Sequence, residues 1–353
     1  MPEDGTGGPY ASESAAERTG SLIERLATQT VTALGELLPP GTTSVALLDF
    51  PYHRNSGDSA IWLGVRRTLE RLGVRVAYVS DTARYRPDRL REALPVGPIL
   101  LLGGGNFGDL WPGHQELRVQ VLRDFPDRTV IQLPQSIAFR DDRALDEARR
   151  VTAEHPDFVF MVRERRSLAF AQENFDVRVV LAPDSAFANG PLSPPRPVRP
   201  EGVLCLARDD VEGTGLINGV VGPGIRRADW VMPRVPELRW KAARGLPKAE
   251  RHLLGRHGVA YRAARPALYA AYESMARVSV ETATGLLCTA RYVVTDRLHA
   301  HVLCLLLGIR HTVFDNSYGK VGGTYEAWTS GSDIARWATS ADEALAHCSR
   351  YAS

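Results

Sequence analysis

Short, continuous apolar runs recur through the first half of the chain, each followed by a stretch of helical periodicity. Residues 44–50 (SVALLDF), 75–79, 99–102, 129–133, 158–163 and 177–181 read as strands. Residues 60–72 read as a helix, because Ile61, Trp62, Val65, Leu69 and Leu72 share one face. Residues 119–125 and the stretch from Ser167 are helical as well. A strand apolar on both faces must be covered on both, so this alternation predicts an α/β fold with a parallel sheet between helix layers.

The pattern stops at Gly190-Pro191-Leu192-Ser193-Pro194-Pro195-Arg196-Pro197 and restarts at 203–208 (VLCLAR). Proline and the residue before it resist helix and central strand alike, so a linker and domain boundary are expected there. With 353 residues, two domains are the natural division. The expected order is a disordered leader over 1–20, an N-terminal domain over 21–190, a C-terminal domain over 198–330, and a C-terminal helix over 331–353 with room to pack back on the first domain. Within the second domain, 267–287 reads as a long helix, 292–295 as a strand, 298–307 as a helix, 312–314 as a strand and 333–346 as a final helix. Residues 209–265, rich in Arg, Gly and Pro, have little periodicity. Two α/β halves with a hinge place a binding site at the cleft between them.

A formal net charge of +2 offers no broad surface for nucleic acid. The four cysteines, Cys205, Cys288, Cys304 and Cys348, are far apart and mostly in apolar runs, so buried thiols are expected. The acidic start lacks a secretion signal and no apolar run can span a bilayer, which makes a cytoplasmic protein the default. No metal-ligand spacing and no nucleophile elbow occurs.

The polar residues that interrupt this pattern cluster at strand ends. Thr295-Asp296-Arg297-Leu298-His299-Ala300-His301 passes from strand to helix without a loop. Unpaired N–H groups at a helix start suit phosphate or carboxylate, and Arg297 adds a planar fork for either. In the bland alternative, Asp296 caps the helix, Arg297 pairs with an acid, and the histidines pack. His301, two residues from His299, points elsewhere on a helix and drops from the candidates. Asn55-Ser56-Gly57-Asp58 holds the matching place after the first strand, where Ser56 or Asp58 fits a helix cap as well as a site. Gly103-Gly104-Gly105-Asn106-Phe107-Gly108 fits G-x-G-x-x-G, but no apolar helix opens at once and the next strand ends in Pro134-Gln135-Ser136 without an acid. Nicotinamide binding is therefore rejected, while close backbone approach at Gly104 and Gly105 stays open. Arg163 and Arg208 end two further strands, as ligands or as ion-pair partners of the acids beside them. Lys320 follows the 312–314 strand, as a ligand or a solvated lysine.

Together these segments, with Arg163-Glu164, Ser167, Pro183-Asp184 and Lys320-Val321, resemble the polysaccharide pyruvyl transferase family over roughly residues 44–330 in the same order. The resemblance implies two Rossmann-like domains facing across a cleft, as in GT-B glycosyltransferases, with the first domain on the acceptor side and the second on the donor side. It implies phosphoenolpyruvate as co-substrate, no further cofactor, and a sugar or lipid-linked glycan as acceptor, with peripheral membrane contact compatible with the latter. By the same resemblance Arg297 and His299 hold the donor and Arg163 is a second anchor. Arg208, Lys320, Asn55, Gly57, Gly104, Gly105 and Gln135 complete the candidate binding set, and His299 and Asp58 are the candidate general acid and base. Two rival readings are a nucleotide-sugar glycosyltransferase and a non-catalytic glycan-binding protein of the same fold.

Overall fold

The computed structural model describes residues 13–208, 213–253 and 258–352. The chain divides into two compact units, one of residues 27–188 and 233–279, the other of 1–26, 189–232 and 280–353. Each is built on a parallel sheet, so the fold is α/β. The predicted leader falls partly outside the described residues. Its last part belongs to helix α1 (Glu13–Gly35), where Ala15 and Thr19 are buried along with Leu22, Ile23 and Leu26. Small residues supply the first part of that stripe, which is why the apolar pattern becomes visible only at Leu22.

The seven-stranded unit alternates β1 (Ser44–Leu48), α2 (Ser56–Arg71), β2 (Arg75–Ser80), α3 (Pro87–Ala93), β3 (Ile99–Leu101), β4 (Gly104–Gly108), α4 (Pro112–Asp124), β5 (Val130–Ala138), α5 (Asp142–Glu154), β6 (Phe158–Val162), α6 (Arg165–Asn174) and β7 (Arg178–Leu181). The strand order is β2-β1-β3-β5-β6-β7, with β4 paired to β5. Apolar residues of β1, β3 and β6 are almost wholly buried. Phe107, Phe160 and Phe175 fill one side of the sheet, with Phe107 and Phe160 ring centroids 4.3 Å apart. Burying each such ring contributes about 1.5–3 kcal/mol before chain entropy is counted.

β5 runs through Pro134, where the sequence predicts a stop. Its register against β6 shifts between Gln132 and Gln135, and that against β4 between Gly104 and Phe107. Proline donates no ladder hydrogen bond and is tolerated at such an irregularity. The glycine run is therefore sheet, pressed against β5. At Gly108, φ is +141° and a Cβ would lie 1.7 Å from the Ala138 carbonyl oxygen, so no side chain fits.

The second unit contains β8 (Val203–Leu206), β9 (Ile225–Ala228), β10 (Tyr292–Thr295), α9 (Leu298–Leu307), β11 (His311–Val313), α10 (Lys320–Thr324), β12 (Ala335–Trp337) and α11 (Ala341–Cys348). The sheet order is β12-β11-β10-β8-β9, all parallel. The expected 333–346 helix is thus a short edge strand followed by a helix capped by Ser340, whose Oγ accepts from the Glu343 N–H at 3.3 Å. α11 packs on its own sheet, where Ala344, Cys348 and Tyr351 join Tyr292 and Val294.

The stretch in which periodicity was weak holds α7 (Arg234–Leu253) and the start of α8 (Gly258–Leu287), which is the helix expected over 267–287 extended back to Gly258. Each contains a proline, Pro247 and Pro266, which sequence rules read as a helix end. No helix among the described residues is long and apolar enough to cross a membrane. All four cysteines are buried thiols, as expected.

Candidate active site

In the five-stranded unit the chain winds from β8 outward to β9, and from β10 through β11 to β12 in the opposite direction. β8 and β10 lie side by side at the reversal, with Leu206 opposite Thr295. In open α/β sheets the crevice beyond the strand carboxyl ends at such a reversal is the usual ligand site. Arg208 follows β8 there, and Arg297 and His299 follow β10.

Hydrogen bonds tie these two strand ends together. The Thr295 hydroxyl donates to the Leu206 carbonyl at 2.8 Å and accepts the Arg297 N–H at 3.1 Å. Asp296 Oδ1 accepts the Arg208 N–H at 2.9 Å, so this aspartate joins β8 to β10 and is not the helix cap. Burial pushes the Asp296 carboxyl up from its ordinary range, while the Arg208 N–H and the Arg297 guanidinium oppose the rise. Arg297 itself occupies the N-cap of α9 with extended backbone and makes no side-chain cap. Its guanidinium donates to the Ala207 carbonyl, at 3.3 Å from Nη2, and to the half-exposed Asp229 carboxylate. His299 is half-buried on the first turn of α9.

His301 faces the interior, as helical spacing predicts. It is fully buried, with Nδ1 2.7 Å from His311 Nε2 and Nε2 2.8 Å from the Thr329 hydroxyl in a π-helical turn, Tyr325–Thr329. Lys320 opens α10 beyond β11, the strand next to β10, and its ammonium donates to the Tyr318 hydroxyl at 2.6 Å.

The corresponding reversal in the seven-stranded unit lies between β1 and β3. Asn55 is the N-cap of α2, its Oδ1 accepting the Gly57 N–H at 2.8 Å and the Asp58 N–H at 3.4 Å. The cap is therefore Asn55, not Ser56 or Asp58, and the Asp58 carboxylate is left to meet His53 Nε2 at 3.6 Å. Gly104, with φ +136°, comes close to the same carboxylate: a Cβ there would stand 3.5 Å from Asp58 Oδ1. The structure thus brings Asn55, Gly57, Asp58 and Gly104 together, with Gly105 next along β4.

Gln135 and Arg163 lie inside the protein instead. Gln135 is fully buried and donates to Asn106 Oδ1 at 2.6 Å. Arg163 is 1% exposed; its Nη1 meets Asp184 Oδ2 at 2.7 Å and its Nε donates to the Ser136 hydroxyl at 2.9 Å. Both side chains order the ends of the strands, and the expected role of Arg163 as a donor anchor is replaced by that of a buried ion-pair partner. Burial pushes the adjacent Glu164 carboxyl up, with Arg163 opposing.

A second polar group at this edge is a buried carboxylate and a histidine. Asp49, just after β1, has φ +70°, the one positive value at a non-glycine among the described residues, and is 2% exposed. Its Oδ1 lies 2.7 Å from His114 Nδ1, and Asn106 Nδ2 donates to its Oδ2 at 3.4 Å. Behind them Arg118 is buried, donating to Gln132 Oε1 at 2.7 Å and to the Asn106 carbonyl at 2.9 Å. Burial lowers its pKa to about 10, with Asp49 acting against the drop. A non-glycine side chain in the left-handed region costs about 1–3 kcal/mol and tends to mark functional sites. With Nδ1–H given to the carboxylate, His114 carries its basic lone pair on Nε2, the arrangement of an oriented general base. Its side chain keeps 23% of its surface exposed. Among the described residues, no three His, Cys, Asp or Glu side chains gather as a metal site.

The model for polysaccharide pyruvyl transferases matches residues 55–318. The chain belongs to that family. Pyruvyl transferase 1 of Schizosaccharomyces pombe is 35% identical over 305 residues, covering 83% of this chain and 72% of the yeast protein. EpsO of Bacillus subtilis, also named as a pyruvyl transferase, is 28% identical over 83% of this chain and 87% of its own length. Among solved structures, an uncharacterized protein from Klebsiella pneumoniae matches with a TM-score of 0.55 at 18% identity, over 89% of this chain and 99% of that one. That last likeness concerns the fold alone.

Sequence reasoning passed over Asp49, Asn106, His114 and Arg118. The available signal was an aspartate inside the apolar run SVALLDF, at the end of a strand where an acid has no packing reason to be. His114 carried no such signal, because its helix begins at Pro112, ahead of the apolar periodicity that starts at Val119.

Proposed function

We propose that this transferase moves the enolpyruvyl group of phosphoenolpyruvate onto a sugar of an exopolysaccharide or cell-surface glycan, closing a pyruvate ketal with release of phosphate. The observation that carries the reading is the meeting of Arg208, Arg297 and His299 with an α-helix N-terminus at the β8/β10 reversal, in a chain of this family. A donor bearing both a carboxylate and a phosphate calls for two cationic contacts and oriented N–H groups. Asp229, seated on Arg297, marks the edge of the guanidinium that a substrate carboxylate would take.

In the proposed sequence Arg297, Arg208 and Lys320 bind the donor, and His299 delivers a proton to its methylene carbon. The central carbon becomes electrophilic and an acceptor hydroxyl adds to it. The proton of that hydroxyl passes to a general base, a role for which His114 held by Asp49, or Asp58, has the chemistry. A second hydroxyl of the same sugar then attacks that carbon, the carbon–oxygen bond to phosphate breaks as the cyclic ketal closes, and the proton of this hydroxyl leaves on the phosphate. Arginine neutralises the charge that builds on the departing group.

The test is incubation of the purified protein with phosphoenolpyruvate and a panel of candidate glycans, following phosphate release and product mass. A pyruvate-ketal mass gain matched by phosphate, and absent in Arg297→Ala, is the expected result. Phosphate-free turnover, or stabilisation by nucleotide sugars alone, would overturn the reading.

A further inference from the structure

Helix α7 buries one face and presents an apolar stripe on the other. On the seven-stranded unit it is held by Trp240, 3% exposed, and by its backbone: the Pro247 carbonyl accepts from Arg84 Nε at 2.8 Å and the Arg244 carbonyl from the Tyr52 hydroxyl at 3.4 Å. Glu250 and Glu237, its two acids, are both engaged, Glu250 with Arg89 and Glu237 with Arg54 at 2.8 Å and Lys241 at 2.9 Å. The packing is therefore fixed by polar and aromatic contacts along one side.

On the opposite side Val235 is 69% exposed, Leu238 58% and Leu246 37%. At about 100° per residue, these three and the exposed Ala242 fall within roughly 80° of one another. Arg239 borders the stripe on one edge, and Arg234, Lys241 and Lys248 border it on the other. Exposed leucine and valine on a helix whose polar flanks are basic is the pattern of a helix lying in a membrane interface, with cations at headgroup level and aliphatic side chains below. A second copy of the chain fits poorly, because a two-fold contact on this face would set its arginine and lysine rows against each other.

We propose that α7 seats this protein on an anionic phospholipid bilayer. The stripe enters the acyl boundary and the flanking cations meet lipid phosphates. Such a seat brings the protein to the surface where a lipid-linked glycan would lie, but it does not rest on the pyruvyl transfer reading.

Vesicle co-sedimentation tests it, with the full chain and vesicles of phosphatidylcholine alone or with phosphatidylglycerol. The protein should partition at least about tenfold more strongly to the anionic vesicles and release at high salt. Arg234→Ser with Arg239→Ser and Lys248→Ser should weaken that partition by about 100-fold, each cation near the surface counting for about tenfold or less. Val235→Asp with Leu238→Asp should abolish it, while Leu238→Met retains it; circular dichroism and the urea unfolding midpoint confirm an intact fold in each variant. Equal binding to both vesicle types, or wild-type binding by the aspartate variant, overturns the proposal. So does an aspartate variant that changes only the oligomeric state in sedimentation, which would make the stripe a protein interface.

Discussion

Acidification should loosen the five-stranded unit through one pair of rings. His311 Nδ1 lies 2.8 Å from the Ile309 carbonyl and must donate to it, so its Nε2 accepts. His301 Nδ1 then donates to that nitrogen, and His301 Nε2 accepts from Thr329. Two neutral rings satisfy all three contacts. Burial lowers the His311 pKa from 6.5 to about 4, and burial followed by repulsion from His311 holds that of His301 well below its ordinary value. The unfolded chain therefore binds protons that the folded one refuses. Stability is fully present above pH 6.5 and declines as pH falls towards 4. At about 1.36 kcal/mol per pH unit, His311 alone accounts for about 2 kcal/mol lost between roughly pH 6.5 and 5. Urea unfolding of wild type and His311→Gln across that range measures it, since the variant removes the ring and keeps a hydrogen-bonding side chain. The wild type should lose about 2 kcal/mol more than the variant. Parallel pH curves would refute the assignment of neutral, coupled rings.

Three further outcomes follow from the geometry. Arg297→Lys should lower kcat/KM for the donor about 100-fold with unchanged folding, because an ammonium cannot reproduce the two-pronged contact, and steady-state phosphate release reads this. Asp49→Asn and His114→Ala should each lower kcat by about 10²–10⁴-fold with little change in donor KM, if the pair supplies the base; a loss confined to KM would place them in binding only. Arg163→Met should destabilise the protein by about 3–5 kcal/mol, since the buried Asp184 carboxylate would lose the guanidinium that balances its charge, and denaturant unfolding would show it.

Most of the strands and the strand-to-helix step at Thr295–Leu298 were readable in the amino-acid order, because apolar periodicity is local and survives without knowledge of neighbours. β10 and α9 lie where the pattern put them. Elements created by a neighbour were not readable. β12 is three residues, Ala335–Trp337, and is a strand only because β11 offers a ladder. β5 passes through Pro134 because the register slips there, α7 runs through Pro247, and α8, legible from 267 onward, begins ahead of Pro266.

For the site, residue chemistry pointed to Arg297, His299 and the Asn55–Asp58 turn, since a polar cluster at a strand end needs no partner to be noticed. Which of these side chains stay at the strand ends and which are drawn into the interior was decided only by tertiary contact. Arg163 looks the same as Arg297 in the sequence, yet Asp184, 21 residues later, takes its charge into the interior. His114 looks idle until Asp49, 65 residues earlier, meets its ring. Periodicity and propensity are set by near neighbours along the chain. Charge pairing and burial are set by whatever the parallel sheet brings alongside, and that order is not written locally.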